Sequence, residues 1–139
     1  MRKNSKICLV MAGVLCFPSI IYGISRTIMS ISFNANCSGY LKRAADANTV
    51  DIAKKELEIA LKYIEYNRIT EGSTAIFWKV PADDVGFWYN NIKSSYEELS
   101  KITEKTSQLE RTNVLMKLRE TLTDSNKEGM HVTMPDNIS

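Results

Sequence analysis

Three spacings of apolar and polar positions follow one another along the chain. The first is an unbroken apolar run. Residues 7–24, ICLVMAGVLCFPSIIYGI, carry no charge, and Arg2, Lys3 and Lys6 stand before them. A run of about 18 uncharged residues behind a basic start reads as a membrane anchor or a signal peptide. It predicts a single transmembrane helix over 7–26, with Arg26 and Tyr22 at the far interface. The basic end 1–6 would then be cytoplasmic and the chain beyond about residue 27 extracytoplasmic. Cleavage before Arg26, with Gly23 and Ser25 as the small residues, is the alternative, and it would release a secreted factor.

After a linker at 27–37 the spacing becomes helical. No Gly or Pro occurs between Tyr40 and Tyr66. Val50, Ala53, Leu57, Ala60 and Ile64 recur at intervals of three and four, one face of a helix. Ile52, Ile59, Leu61 and Tyr63 widen that face. Asn48 and Thr49 are better caps than interior residues, which predicts a short helix at 38–47 and a main helix at 49–67. Gly72, Pro81 and Gly86 punctuate the next stretch and predict a loop over 68–82. Asp83 or Asp84 then caps a further helix, where a negative charge suits the dipole.

The third spacing is heptad-like. Val85, Trp88, Ile92, Ser95, Leu99, Ile102, Thr106, Leu109, Asn113 and Met116 alternate by three and four, as the a and d positions of a coiled coil do. Gly and Pro are absent from 87–128. The pattern predicts one long second arm over 83–123 and a loosely ordered tail at 124–139. The fold class expected is therefore all-α: an N-terminal transmembrane helix, then an exported antiparallel helical hairpin at 38–123 with coiled-coil-like packing.

Charge narrows the partners. Of 18 basic residues, Arg2, Lys3, Lys6 and Arg26 flank the apolar run, leaving 14 beyond it against 16 acidic ones. That slightly acidic remainder argues against nucleic-acid binding, which needs a basic face. Cys37 is the lone cysteine beyond the apolar run, so it reads as a buried thiol or an intermolecular partner.

Candidate chemistry is sparse. The stretch IFWKVPADDVGFWY gathers Phe77, Trp78, Phe87, Trp88 and Tyr89 around one proline and two aspartates. Such rings form either a ligand platform or a clasp in which Phe77 and Trp78 close over Trp88, and the thin core of a small domain favours the clasp. The adjacent Asp83 and Asp84 read as caps. His131 stands apart in the tail, so no metal site or other cofactor is expected. No nucleophile elbow, Cys–His spacing or phosphate-cradling glycine loop occurs, and no enzymatic activity is expected. The seam around Leu109, Asn113 and Met116 outruns the first arm and predicts a homodimer or a membrane-protein partner on that face. The function these features imply is a tethered, non-enzymatic module for protein–protein contact. The alternative is a small ligand-binding or sensing domain using the aromatic turn.

Overall fold

The computed structural model describes residues 2–75, 78–126, 129–135 and 138. Helix α1 spans Arg2–Phe33, and a π-helical turn at Asn34–Ser38 joins it without a break to α2, Gly39–Ala45. Helices α3, Val50–Tyr66, α4, Val85–Lys101, and α5, Gln108–Leu122, follow. A two-stranded antiparallel hairpin, β1 at Thr123–Asn126 and β2 at Gly129–Val132, ends the ordered sequence of elements. The chain is thus mostly helical, and α2 to α5 form its bundle.

The π turn has a local cause. Gly39 donates its N–H to the carbonyl of Asn34, five residues back. A Cβ at position 39 would stand 3.2 Å from that same oxygen, so the wide turn closes best over a glycine. One face of the turn carries Cys37 into the core, and Phe33 precedes it there.

Helix α3 follows its stripe. Ala53, Leu57, Ala60 and Ile64 are buried, and Leu61 joins them, while Ile52 on the widened edge is half exposed. The Thr49 hydroxyl caps the helix by accepting the Ile52 N–H, and Glu58 and Lys62 pair across one turn at 2.6 Å on the wet side. Helix α4 begins similarly, with Asp84 Oδ1 accepting the Phe87 N–H at 2.9 Å. Its buried face is Val85, Trp88, Ile92 and Leu99. Helix α3 packs between α2 and α4, and α5 folds back against α2 and α4.

Two differences from the sequence expectation shape the molecule. The first is at the N-terminus. Among the described residues no helix is long and apolar enough to cross a membrane. The 32-residue α1 runs through the residues expected to be linker, and Pro18, Ser19, Gly23, Ser25, Arg26, Thr27, Ser30 and Ser32 dilute its apolar content. Its end is committed to the bundle through Phe33, 3% exposed. The transmembrane anchor at 7–26, the signal-anchor reading and the single-pass localisation therefore fall.

The second difference is the long arm, which is two helices. Ile102 closes α4 with extended backbone, and Ser107 opens α5. Between them the Thr106 hydroxyl accepts the Thr103 N–H at 3.0 Å. Arg111 reaches back to the carbonyls of Thr103 and Thr106 at 2.8 and 3.1 Å. Side chains that satisfy the backbone locally compete with the helix ladder, and here they end it. The residues after α5, expected to be loosely ordered, instead hold the hairpin, and Thr133 beyond it donates its N–H to the Leu122 carbonyl at 2.8 Å.

Candidate functional site

The five aromatic residues of the expected platform divide into two groups at the start of α4. Trp88 and Tyr89 face inward, 6% and 9% exposed, whereas Phe87 is 65% exposed and Trp78 is 85% exposed. Phe77 lies outside the described residues. Helix geometry makes the first division: each residue turns about 100° around the axis, so a buried arc that takes in Trp88 and Tyr89 leaves Phe87 outside it.

Trp88 is held, but not by Trp78. Its indole N–H donates to the Thr133 carbonyl at 2.8 Å, and its ring lies 6.3 Å from that of Phe33, tilted by 37°. Phe33 in turn meets Tyr63 edge-on at 6.2 Å. The ring that closes over Trp88 comes from the end of α1, a residue that the sequence reading places in the linker. Tyr89 donates its hydroxyl to Glu65 at 2.8 Å, and Lys93 lies 5.7 Å from the centre of its ring. The hydrogen bond to the Glu65 carboxylate, then desolvation, raises the phenol above its ordinary pKa.

The loop before α4 is pinned at both ends. Thr74 donates its N–H to the Asp83 carbonyl and Val85 to that of Gly72. Gly72 sits at φ +102°, where a side chain is strained. Asp83 is buried and accepts the Val80 N–H at 3.3 Å. Both aspartates thus act on nearby main-chain N–H groups. The pinned base leaves Trp78 and Val80 exposed on the loop, with Tyr66, 88% exposed, at the end of α3 and Phe87 at the start of α4. These four apolar or aromatic side chains stand at one end of the bundle, the end where α3 gives way to α4.

The expected seam on the second arm is also redistributed. Leu118 and Leu122 are buried and Leu115 is half-buried, because α5 turns that side toward the bundle. Leu109 and Met116 are 72% and 57% exposed, and Asn113 is exposed. The turn at 102–107 separates them from the α4 stripe they were expected to continue.

An open groove of about 590 Å³ lies between the α2–α3 turn and the α4–α5 turn. Asp46, Thr49 and Asp51 line one side; Ile102, Arg111 and Met116 line the other. Asp46 and Arg119 pair across it at 2.9 Å, so two of its charges already answer each other.

Elsewhere the chemistry is quiet. Among the described residues no three His, Cys, Asp or Glu side chains gather where a metal ion would need them. His131 is exposed on β2. Burial pushes the Cys37 thiol up to about 12, far from the thiolate that makes a cysteine reactive. Glu56 is buried, with Oε1 on Arg43 at 2.7 Å and no hydrogen-bond partner for Oε2 among the described residues.

No protein-family model matches the chain, and no curated protein or solved structure matches it either. The class that the fold defines is a mostly helical bundle.

Proposed function

We propose that the protein is a non-enzymatic helical module that binds a partner protein through the aromatic end of its bundle. The observation that supports this reading is the separation of the rings. Trp88 and Tyr89 serve the fold, while Trp78 and Phe87 remain exposed on a loop and helix start held in place beneath them. Exposed aromatics on a fixed base bury large area at small entropic cost, which is why Trp and Tyr dominate interface energetics. The nearby Lys79 and Asp84 supply a polar rim.

The test is comparative. The chain and its Trp78→Ala/Phe87→Ala variant are each used to capture proteins from the source cells, and thermal melts are recorded for both. A partner retained by the parent and lost by a variant of unchanged melting temperature supports the reading. Identical capture by both ends it.

A second reading has the groove between the α2–α3 and α4–α5 turns as its support. At about 590 Å³ it is of the size of small-molecule sites. Stabilisation of the chain by a small ligand, abolished by Met116→Glu, would favour that reading over the first.

A further inference from the structure

We infer that α1 is a self-assembly helix, through which copies of this chain join in a parallel coiled coil. Val14, Phe17, Ile21, Ile24, Ile28 and Ile31 are spaced by three, four, three, four and three residues. Every one of them is apolar, and their exposures are 66%, 69%, 51%, 56%, 61% and 64%. Met11, Ile20, Tyr22 and Met29 off this line are similarly exposed, so the regular spacing and not exposure alone marks the seam. The sequence spacing continues upstream at Val10 and Ile7. An a/d repeat maintained over three heptads is the signature of paired or bundled helices.

The direction of the seam is what identifies the occupant. Phe33, five residues after Ile28, lies on the opposite side of the helix, and at this last turn that is the side that meets the bundle. The seam therefore faces away from the protein's own core. Arg26, the lone charge in residues 7–33, also falls opposite the seam. The flanking positions of the seam are Ile20, Ser25, Thr27 and Ser32, all uncharged, so nothing repels an identical helix and nothing calls for an oppositely charged one. Pro18 lies beside the seam and not on it, within helix that continues past it. In a parallel arrangement the bundles lie together at the C-terminal end of α1, each joined to it on the Phe33 side.

Area and residue type set the number of copies. Each seam side chain has on the order of 100 Å² to bury, so two facing helices bring together roughly 1,200 Å², the lower limit for a stable interface. Further copies exceed that limit. β-Branched residues at both a and d, here Val14, Ile21 and Ile28 with Ile24 and Ile31, favour three- or four-stranded coils over pairs.

The full chain is examined by sedimentation equilibrium in detergent-free buffer, beside two variants of equal added charge. Ile21→Glu/Ile28→Glu places acids on the seam; Tyr22→Glu/Met29→Glu places them off it. The parent and the off-seam variant are expected at three or four times the 15.7 kDa of one chain, and the seam variant at one times that mass. Thermal melts establish that both variants retain the folded bundle. The inference is overturned by a monomeric parent, or by seam and off-seam variants that dissociate alike. A chain that stays monomeric and floats with phosphatidylcholine vesicles also overturns it, because lipid would then be what covers these side chains.

Discussion

The indole N–H of Trp88 donates to the main-chain oxygen of Thr133 over 2.8 Å, joining positions 45 residues apart. With Phe33 against its ring, one side chain ties the end of α1, the start of α4 and the segment after β2. Trp88→Ala is expected to cost about 3–5 kcal/mol, as for other buried large aromatics. Trp88→Phe keeps much of the volume but leaves the Thr133 oxygen without this donor, and about 1–3 kcal/mol is expected. Trp78→Ala, at an exposed position, is expected to change stability by less than about 0.5 kcal/mol. Denaturant melts of the three variants check the order. Equal losses for Trp78 and Trp88 would contradict the division of the rings.

Glu56 and Arg43 form a pair of unequal burial, 5% and 67% exposed at the side chain. Removing the arginine leaves a buried carboxylate with neither oxygen answered among the described residues. Arg43→Ala is expected to cost about 1–3 kcal/mol, with solvent at the arginine limiting the loss. Glu56→Leu is expected to be neutral or stabilising, because it removes the desolvated charge itself. The double variant should resemble Glu56→Leu alone. Additive losses in this cycle would show that the pair has no coupling.

Cys37 is wholly buried, and its thiol is raised from 9.0 to about 12 by that burial. A raised folded value means that the native state keeps the proton while the unfolded chain gives it up. The stability this contributes is intact below about pH 9 and is lost as pH rises toward 12. In the native chain at pH 8, a maleimide should therefore label exposed Cys16 readily and Cys37 only on unfolding. Mass mapping of the labelled peptides checks this, and native labelling of both at similar rates would contradict it.

Gly39 offers a test in which the usual sign reverses. Exchanging Gly for Ala inside an ordinary helix gains about 1 kcal/mol. At position 39 the new methyl meets the Asn34 oxygen at 3.2 Å, and that oxygen is held by the Gly39 N–H. Gly39→Ala is expected to lower the melting temperature. A rise would mean that the wide turn relaxes without cost.

Local signals in the sequence carried much of this architecture, and distant ones did not. The α3 stripe and the caps Thr49 and Asp84 are legible because periodicity and capping act over three or four residues. The end of α4 was hidden by an apolar spacing that runs on through Ile102, Thr106 and Leu109 with no Gly or Pro to interrupt it. A signal was present in Ser107 followed three residues later by Glu110, the sequence form of a capping box, and Ser107 does accept the Glu110 N–H at 3.2 Å. The exposure of Trp78 and the burial of Trp88 against Phe33 depend on contacts between remote segments, which spacing within one segment cannot reveal. The hairpin at 123–132 is too short to show a convincing alternation. The apolar run at 7–24 mimics a membrane span because its composition hides the helix that continues it to Phe33 in the bundle.

The extra residue in the turn at Asn34–Ser38 is a clocking device. A π-helical turn holds one residue more than the α-helical turn it replaces, and each residue of helix is worth about 100° of rotation. Because α1, the turn and α2 are continuous, that rotation fixes which side of α1 is aimed outward once Phe33 and Cys37 are in the core. Removing one residue from the turn would leave both helices chemically unchanged while swinging the outer arm by more than a quarter of a revolution. The composition of α1 thus sets what it can meet, and five residues at its base set where it looks for it.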